Sequence, residues 1–338
     1  MPPKTTFAPV NVPFERRLQT LCVLFENPMA VFTLCILLTI GILMIPFSWM
    51  TIVPMWIAWA FFIDKAAYRG GREWRWLRRM EWLRIARTYF PASLFVDKGA
   101  SFPSDKNYLF CYHPHGLIGV GIWSNFVPDF PERQKLFPDL SFRQHTMVAN
   151  FRVPLWRELL LALGFLDCSR PSLLYQLSKK GGGNVSILVP GGAEESIACT
   201  EHTLTLKNRK GFIRVAIETG ASLVPVFTFG EVETYKAVVQ PSRTRAVQLK
   251  IQKLLGIGTP LVSGRGIFNY RAGMLPHRIP LNTVVGRPIA VTKKAAGEYT
   301  TEEVDNLHDR YIKALTELYE AHKGQHDPEG KYPELKIV

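Results

Sequence analysis

Cysteine is scarce in this 338-residue chain, and several familiar signatures are missing altogether. The five cysteines, Cys22, Cys35, Cys111, Cys168 and Cys199, are scattered, with no pair at disulfide-framework or zinc-ligand spacing. That excludes a disulfide-stapled secreted scaffold and suits a reducing, cytosol-facing compartment. There is no Gly-x-Ser-x-Gly, so the serine elbow of the α/β hydrolases is absent. Gly119 and Gly121 lack the third glycine of a dinucleotide-binding loop. No internal repeat is present. Acid is outnumbered: 28 Asp and Glu stand against 41 Lys and Arg, a net charge of +13. An excess of that size favours an anionic partner, whether nucleic acid, an acidic membrane surface or a phosphorylated cofactor.

The most telling absence is of charge between Pro28 and Ile63, a run of 36 residues. As one helix it would extend roughly 54 Å at about 1.5 Å per residue, too long for a hydrocarbon core of about 30 Å. Broken near Pro46-Phe-Ser-Trp49 it forms two short arms, so a membrane hairpin is expected. Both flanks are basic, with Arg16 and Arg17 before the run and Lys65, Arg69, Arg72, Arg75, Arg78, Arg79, Arg84 and Arg87 after it. The positive-inside rule places both flanks on the cytosolic side. From Trp74 to Arg87, Trp and Leu alternate with Arg at near-helical spacing, as in a helix lying among lipid headgroups. Beside an uncharged 36-residue run, a membrane surface explains this segment more simply than nucleic acid does, and no nucleic-acid partner is expected.

After Tyr89-Phe-Pro91 the pattern turns globular. Tyr108 to Tyr112 form an uncharged aromatic and aliphatic run that stops at His113-Pro-His115-Gly116. The run has the look of a buried strand, which Pro114 ends and Gly116 turns. Asn184 to Pro190 is a second buried strand, running into Gly191-Gly192-Ala-Glu194-Glu195-Ser196; Ser222 to Phe229 is a third, ending at Gly230-Glu231. Helices are expected at about 155–163, at 172–179, opening at Arg209-Lys210-Gly211-Phe212, and from a capping box at Thr300 and Glu303 with a stripe of Val304, Leu307, Tyr311, Leu315, Leu318 and Tyr319. Leu281 to Val291 has the pattern of a late strand. Strand and helix alternating in this way indicate an α/β fold with a mainly parallel or mixed sheet and flanking helices. From 232 to 280 the pattern weakens, as a substrate-covering segment would.

An extended backbone would point His113 and His115 to the same side. Such histidines serve as a general base toward a hydroxyl, as a structural pair, or as metal ligands, although a metal would need further ligands. Glu194 and Glu195 can orient a histidine as the acid of a triad does, or merely complement a helix dipole. Cys111, inside a strand, is a core residue rather than a thiolate. With no nucleophile in evidence, direct attack of an activated alcohol on an activated acyl donor is expected, without an acyl-enzyme. Arg209 and Lys210 at a helix start, with Arg152 and Arg170, can hold an anionic donor's phosphates.

At His113-Pro-His-Gly116 the chain resembles the type-2 diacylglycerol acyltransferases, a family that includes monoacylglycerol acyltransferases and related wax synthases. Tyr89-Phe-Pro91, Asn150-Phe-Arg152, Gly191-Gly-Ala-Glu194-Glu195-Ser196, Arg209-Lys-Gly-Phe212, Leu223-Val-Pro225, Phe229-Gly-Glu231, Gly264-Arg-Gly266 and Val285-Gly-Arg-Pro-Ile289 follow in the family's order across roughly 64–330. The resemblance implies a glycerolipid-acyltransferase-like α/β domain at 92–326. Before it come a tail at 1–27, the membrane hairpin at 28–63 and a basic amphipathic interfacial segment at 64–91; a loose tail at 327–338 follows.

It also implies His113 and His115 as catalytic histidines with Glu195 as their acidic partner; of the two, His115 is slightly preferred here as the base. Gly116, Asn150, Arg152, Gly191, Gly192, Arg209 and Lys210 are the substrate-binding set. Acyl-CoA is the co-substrate, diacylglycerol the acceptor and membrane lipid the surroundings, with no cofactor and no metal. A homo-oligomer is left open. The expected location is the endoplasmic-reticulum membrane, with the catalytic domain facing the cytosol, and the lipid-droplet surface. Other glycerolipid acyltransferases place an aspartate five residues after the histidine; here those positions are Ile118 and Val120, so the acid must come from elsewhere. Monoacylglycerol or a long-chain alcohol as acceptor, and a non-catalytic lipid-droplet or lipid-carrier protein, are the alternatives.

Overall fold

The computed structural model describes residues 7–9, 11–197, 202–237, 262–270, 273–327, 330 and 332–338. Its strands are β1 (Ser93–Val96), β2 (Tyr108–His113), β3 (Ser141–Thr146), β4 (Phe165–Asp167), β5 (Asn184–Leu188), β6 (Thr203–Leu204), β7 (Ser222–Phe229), β8 (Lys236–Ala237), β9 (Val262–Ser263), β10 (Asn282–Val285) and β11 (Lys336–Ile337). Seven of them form one sheet in the order β1-β10-β7-β2-β5-β3-β4. Every neighbouring pair is parallel except β10 against β7, so the sheet is mixed and mainly parallel, as the strand–helix alternation predicts.

β2 lies at the centre, between β7 and β5, and is buried along its whole length. Its side chains alternate between two cores, which explains an apolar run without polar interruption. Leu109 and Cys111 pack with the helices Arg170–Leu177, Gly211–Thr219 and Thr301–His326; Tyr108, Phe110 and Tyr112 pack with Phe126, Phe137 and Phe142 on the other face. Burying each such side chain contributes about 1.5–3 kcal/mol. The helix Thr301–His326 opens on the expected capping box, with Thr300 and Glu303 bonding each other's backbone N–H. Its buried stripe lies over β7 and β10.

Three terminal or flanking expectations are corrected. The tail expected at 1–27 contains a 13-residue helix, Phe14–Glu26, which packs Cys22 and Val23 against Ala86 and Tyr89. The stretch from Trp74 to Arg87, expected as one helix, is interrupted. It is divided into Arg75–Arg78 and Glu81–Tyr89, and Arg78 is 2% exposed, bound to Glu73 (2.5 Å), Asp129 (3.4 Å) and the carbonyls of Val127 and Phe126. Arg157 and Arg72 share Asp64 at 2.6 Å each. These arginines therefore neutralise half-buried acids, while Trp74 and Trp76 stay exposed. At the other end, β11 pairs with β6 and the Tyr332 hydroxyl accepts from the Gly230 N–H, so the C-terminus is docked. Most of the stretch expected to cover substrate, 232–280, lies outside the described residues.

The uncharged run folds as the helix Pro28–Met44, turns at 45–51, and continues as Ile52–Ala58 and a π-helical turn Trp59–Ile63. The break falls where Pro46-Phe-Ser-Trp49 predicts it. Asn27 caps the first helix, accepting from the Met29 and Ala30 N–H groups. Among the described residues no single helix is long and apolar enough to cross a membrane; Phe14–Glu26 and Pro28–Met44 have the length and composition only as a pair, bent by 56°.

Candidate active site

The two histidines leave the end of β2 in different directions. His113 continues the strand's alternation on the side of Leu109 and Cys111, and is wholly buried. Its Nε2 meets the Tyr311 hydroxyl of the C-terminal helix at 2.8 Å, and its Nδ1 is buried without a partner. Tyr311 also donates to the Cys111 carbonyl at 3.4 Å. Burial without a countercharge pushes the His113 imidazole down to a pKa of about 3, so it is neutral at every ordinary pH.

His115 lies past the turn, half-buried in the wall of a cavity of about 470 Å³. Its Nδ1 lies 3.0 Å from the Gly116 carbonyl. A carbonyl only accepts, so Nδ1 carries the hydrogen and Nε2 presents a lone pair. Desolvation lowers the His115 pKa, keeping that lone pair free. The expected shared direction of the two rings thus fails. The chain leaves the extended conformation after His113, so the period of two no longer applies.

The cavity is lined mostly by apolar groups from the start of the helix Pro28–Met44, from 117–123, from the helix Trp156–Ala162 and from the end of β5. Its polar lining includes Gln144, His145, Thr146, Asn150 and Ser196. His145 is held by the Asp167 carbonyl and the Ser186 hydroxyl. Asn150 donates to Thr146 at 2.8 Å.

Glu195 is also close, but not as the acid of a triad. It sits in the short helix Gly192–Ile197, is 2% exposed, and its Oε1 accepts from the backbone N–H of His115 at 3.1 Å rather than from the ring. Its Oε2 is buried without a partner, and desolvation raises its pKa to about 7. Gly191 makes this approach possible, because a Cβ there would lie 1.5 Å from Glu195 Oε2. Glu194 points outward and pairs with Arg209 at 2.6 Å.

One carboxylate that sequence reading left out is central. Glu231, fully buried just beyond β7, accepts from the N–H groups of Val120 (2.7 Å) and Gly121 (2.8 Å) and from the Tyr112 hydroxyl (2.7 Å). It lies under the histidine turn: a Cβ on Gly116, whose φ is +55°, would come within 2.7 Å of Glu231 Oε1. Burial lifts its pKa to about 7. The signal was available, since Gly230-Glu231 is a third apolar strand ending on a carboxylate. Tyr311 gave no such sign, being one aromatic in a helix stripe.

The residues expected to bind substrate divide. Asn150 and Gly192 line the cavity, and Gly116 and Gly191 shape its wall at close approach to Glu231 and Glu195. Arg152, Arg209 and Lys210 do not line it. Lys210 pairs with Asp305 at 2.7 Å and Arg170 with Glu218, so three of the four cations expected to form one phosphate site are each matched to an acid, Arg209 with Glu194 among them.

Residues 41–336 match the diacylglycerol acyltransferase family. The chain belongs to that family. It is 40% identical over 327 residues to 2-acylglycerol O-acyltransferase 1 of Bos taurus, covering 96% of each chain. It is 40% identical over 326 residues to diacylglycerol O-acyltransferase 2A of Umbelopsis ramanniana, covering 95% of this chain and 90% of the relative. Diacylglycerol O-acyltransferase 2 of Dictyostelium discoideum is 38% identical over 321 residues, with 94% and 95% covered. Among solved structures, the 1-acyl-sn-glycerophosphate acyltransferase of Thermotoga maritima matches with a TM-score of 0.41 at 11% identity, over 88% of this chain and 98% of that one. As a diacylglycerol acyltransferase family member the protein is an O-acyltransferase, with its histidine turn opening on an apolar cavity.

Proposed function

We propose that the enzyme esterifies the free hydroxyl of diacylglycerol with a fatty acyl group from acyl-CoA, with His115 as general base. One observation carries this reading. The His115 Nδ1–H is committed to the Gly116 carbonyl, so a basic Nε2 stands at the wall of a largely apolar cavity. An acceptor hydroxyl there gives its proton to Nε2 while its oxygen bonds to the thioester carbonyl carbon. The C–S bond then breaks, and the imidazolium returns the proton to the departing thiolate. Glu195 and Glu231 act on this step through the backbone, Glu195 holding the His115 N–H and Glu231 the chain that follows. His113, tied to Tyr311 behind the strand, has no route to substrate in this scheme.

The acceptor itself is the finer part of the proposal. Relatives named for 2-acylglycerol and for diacylglycerol stand at the same 40% identity, so monoacylglycerol is the second reading and a long-chain alcohol the third. Purified enzyme given labelled oleoyl-CoA and each of the three acceptors in turn tests it. Triacylglycerol as the principal product supports the first reading. Diacylglycerol or wax ester as the principal product replaces it.

The same proposal places the enzyme at the endoplasmic-reticulum membrane and the lipid-droplet surface, with its catalytic domain toward the cytosol. Supporting it, Leu34, Leu37, Leu38, Phe47, Trp49, Met55, Phe61 and Phe62 are exposed along the uncharged run. The 17-residue arm would measure about 25 Å and the following 12 residues about 18 Å, both short of a core of about 30 Å. A hairpin dipping into one leaflet fits these lengths. Flotation of the full chain with vesicles, compared with a chain lacking 28–63, checks it: equal flotation of both would contradict the hairpin.

A further inference from the structure

A second cavity of about 460 Å³ lies beside the His115 chamber, and nothing in the proposed reaction uses it. Cys22, Phe25 and Glu26 of the helix Phe14–Glu26 line it, together with Trp82 and Leu163. Trp123 and Trp156, stacked 6.5 Å apart at 23°, line both chambers. Its surface is almost wholly apolar, yet one side chain is a carboxyl. Glu26 is 7% exposed, and neither of its oxygens has a hydrogen-bond partner. Two buried donors nearby are also unpartnered: the Trp156 indole N–H and the hydroxyl of Ser124, which shares a small adjoining void with Glu26. A buried polar group without a partner is costly, so Glu26 and Trp156 on this chamber, with Ser124 at the adjoining void, indicate a missing ligand.

We propose that this chamber binds a neutral glycerolipid bearing a free hydroxyl, which donates to Glu26 while an ester carbonyl accepts from Trp156. The chemistry selects against the other lipids. Among the described residues no Lys or Arg lines the chamber, so the phosphates of acyl-CoA or of a phospholipid would face a carboxyl with no cation, and a fatty acid would bring a second carboxyl to the first. A neutral hydroxyl supplies the donor that Glu26 lacks. The volume admits the glycerol end and part of one chain, and the rest can leave beside Leu21 and Phe25, which are 50% and 59% exposed. Because Trp156 is common to both chambers, the site would hold an acceptor next to the histidine. That last step rests on the proposed function; the binding does not.

The test is equilibrium binding of 1,2-dioleoylglycerol to the full chain in detergent micelles without acyl-CoA, so that turnover plays no part. Its 3-O-methyl ether, which lacks the donor, is measured alongside. Wild-type protein should prefer dioleoylglycerol over the ether by about three- to tenfold, the worth of one hydrogen bond, and Glu26→Leu should lose that preference. Glu26→Gln, which retains an acceptor oxygen at the same size, should keep most of it and guards against a folding defect in the leucine variant. Equal affinity of the wild type for the two lipids would overturn the proposal, as would an unchanged preference in Glu26→Leu or displacement by oleic acid as effective as by dioleoylglycerol. Acyl transfer is assayed separately, so an inactive wild type would defeat the proposed function and leave the binding result standing.

Discussion

His113 and His115 are two residues apart on one strand end, and the structure gives them different surroundings. His113 sits in a dry joint between the central strand and the C-terminal helix, bonded to Tyr311 and pushed down to a pKa of about 3. His115 stands at a cavity wall with one nitrogen tied to a carbonyl and the other free. The first arrangement fixes a position and the second leaves a base available. A pair of histidines in a motif need not share a task, and what each one faces decides which task it has.

Substitutions sharpen or break this contrast. The largest effect is expected from His115→Ala: turnover falls by roughly 10²–10⁴-fold, the usual worth of a general base, while the thermal midpoint stays near that of the wild type. Glu231→Ala should follow, since it strips the N–H groups of Val120 and Gly121 and the Tyr112 hydroxyl of their buried acceptor. A stability loss of about 2–4 kcal/mol, with a lowered kcat in the protein that remains folded, is expected by denaturant titration and assay. Tyr311→Phe removes only the hydroxyl of the His113 joint and should cost about 1–2 kcal/mol while retaining most turnover. If Tyr311→Phe abolished activity at full stability, the His113 side would be chemical after all.

The smallest effect is one of pH. Glu195 has its pKa raised to about 7, above its ordinary value, so its neutral form is favoured on folding. Its contribution to stability is present below about pH 4.5 and is lost as pH rises through about 7. Glu195→Gln should flatten that part of the stability profile, and a profile unchanged by the substitution would contradict the burial seen here. His115 moves the other way: its lowered pKa should carry the acid limb of kcat/KM below the ordinary histidine value near 6.5.

Much of this was legible in the sequence wherever the signal was local. The β2 run and its stop at His113, the break at Pro46 and the Thr300–Glu303 capping box each depend on neighbours a few residues apart. What was hidden depends on partners far along the chain. Arg72 and Arg78 have the composition of a membrane-facing strip until Glu158 and Asp129 are found beside them. Glu195 looked like a partner for an imidazole, and only the folded turn shows its oxygen on the main-chain N–H. The helix Phe14–Glu26 falls within the expected tail because the residues that Cys22 and Val23 pack on, Ala86 and Tyr89, lie far along the chain. The directions of the two histidines depend on where the strand stops, to within a single residue.

The most direct test of the central claim is therefore single-turnover acyl transfer from labelled oleoyl-CoA by His115→Ala and Tyr311→Phe proteins, measured side by side with their thermal midpoints. The account predicts that His115→Ala is folded and nearly inactive, and that Tyr311→Phe is less stable and active. A folded His115→Ala enzyme with turnover close to the wild type would contradict it.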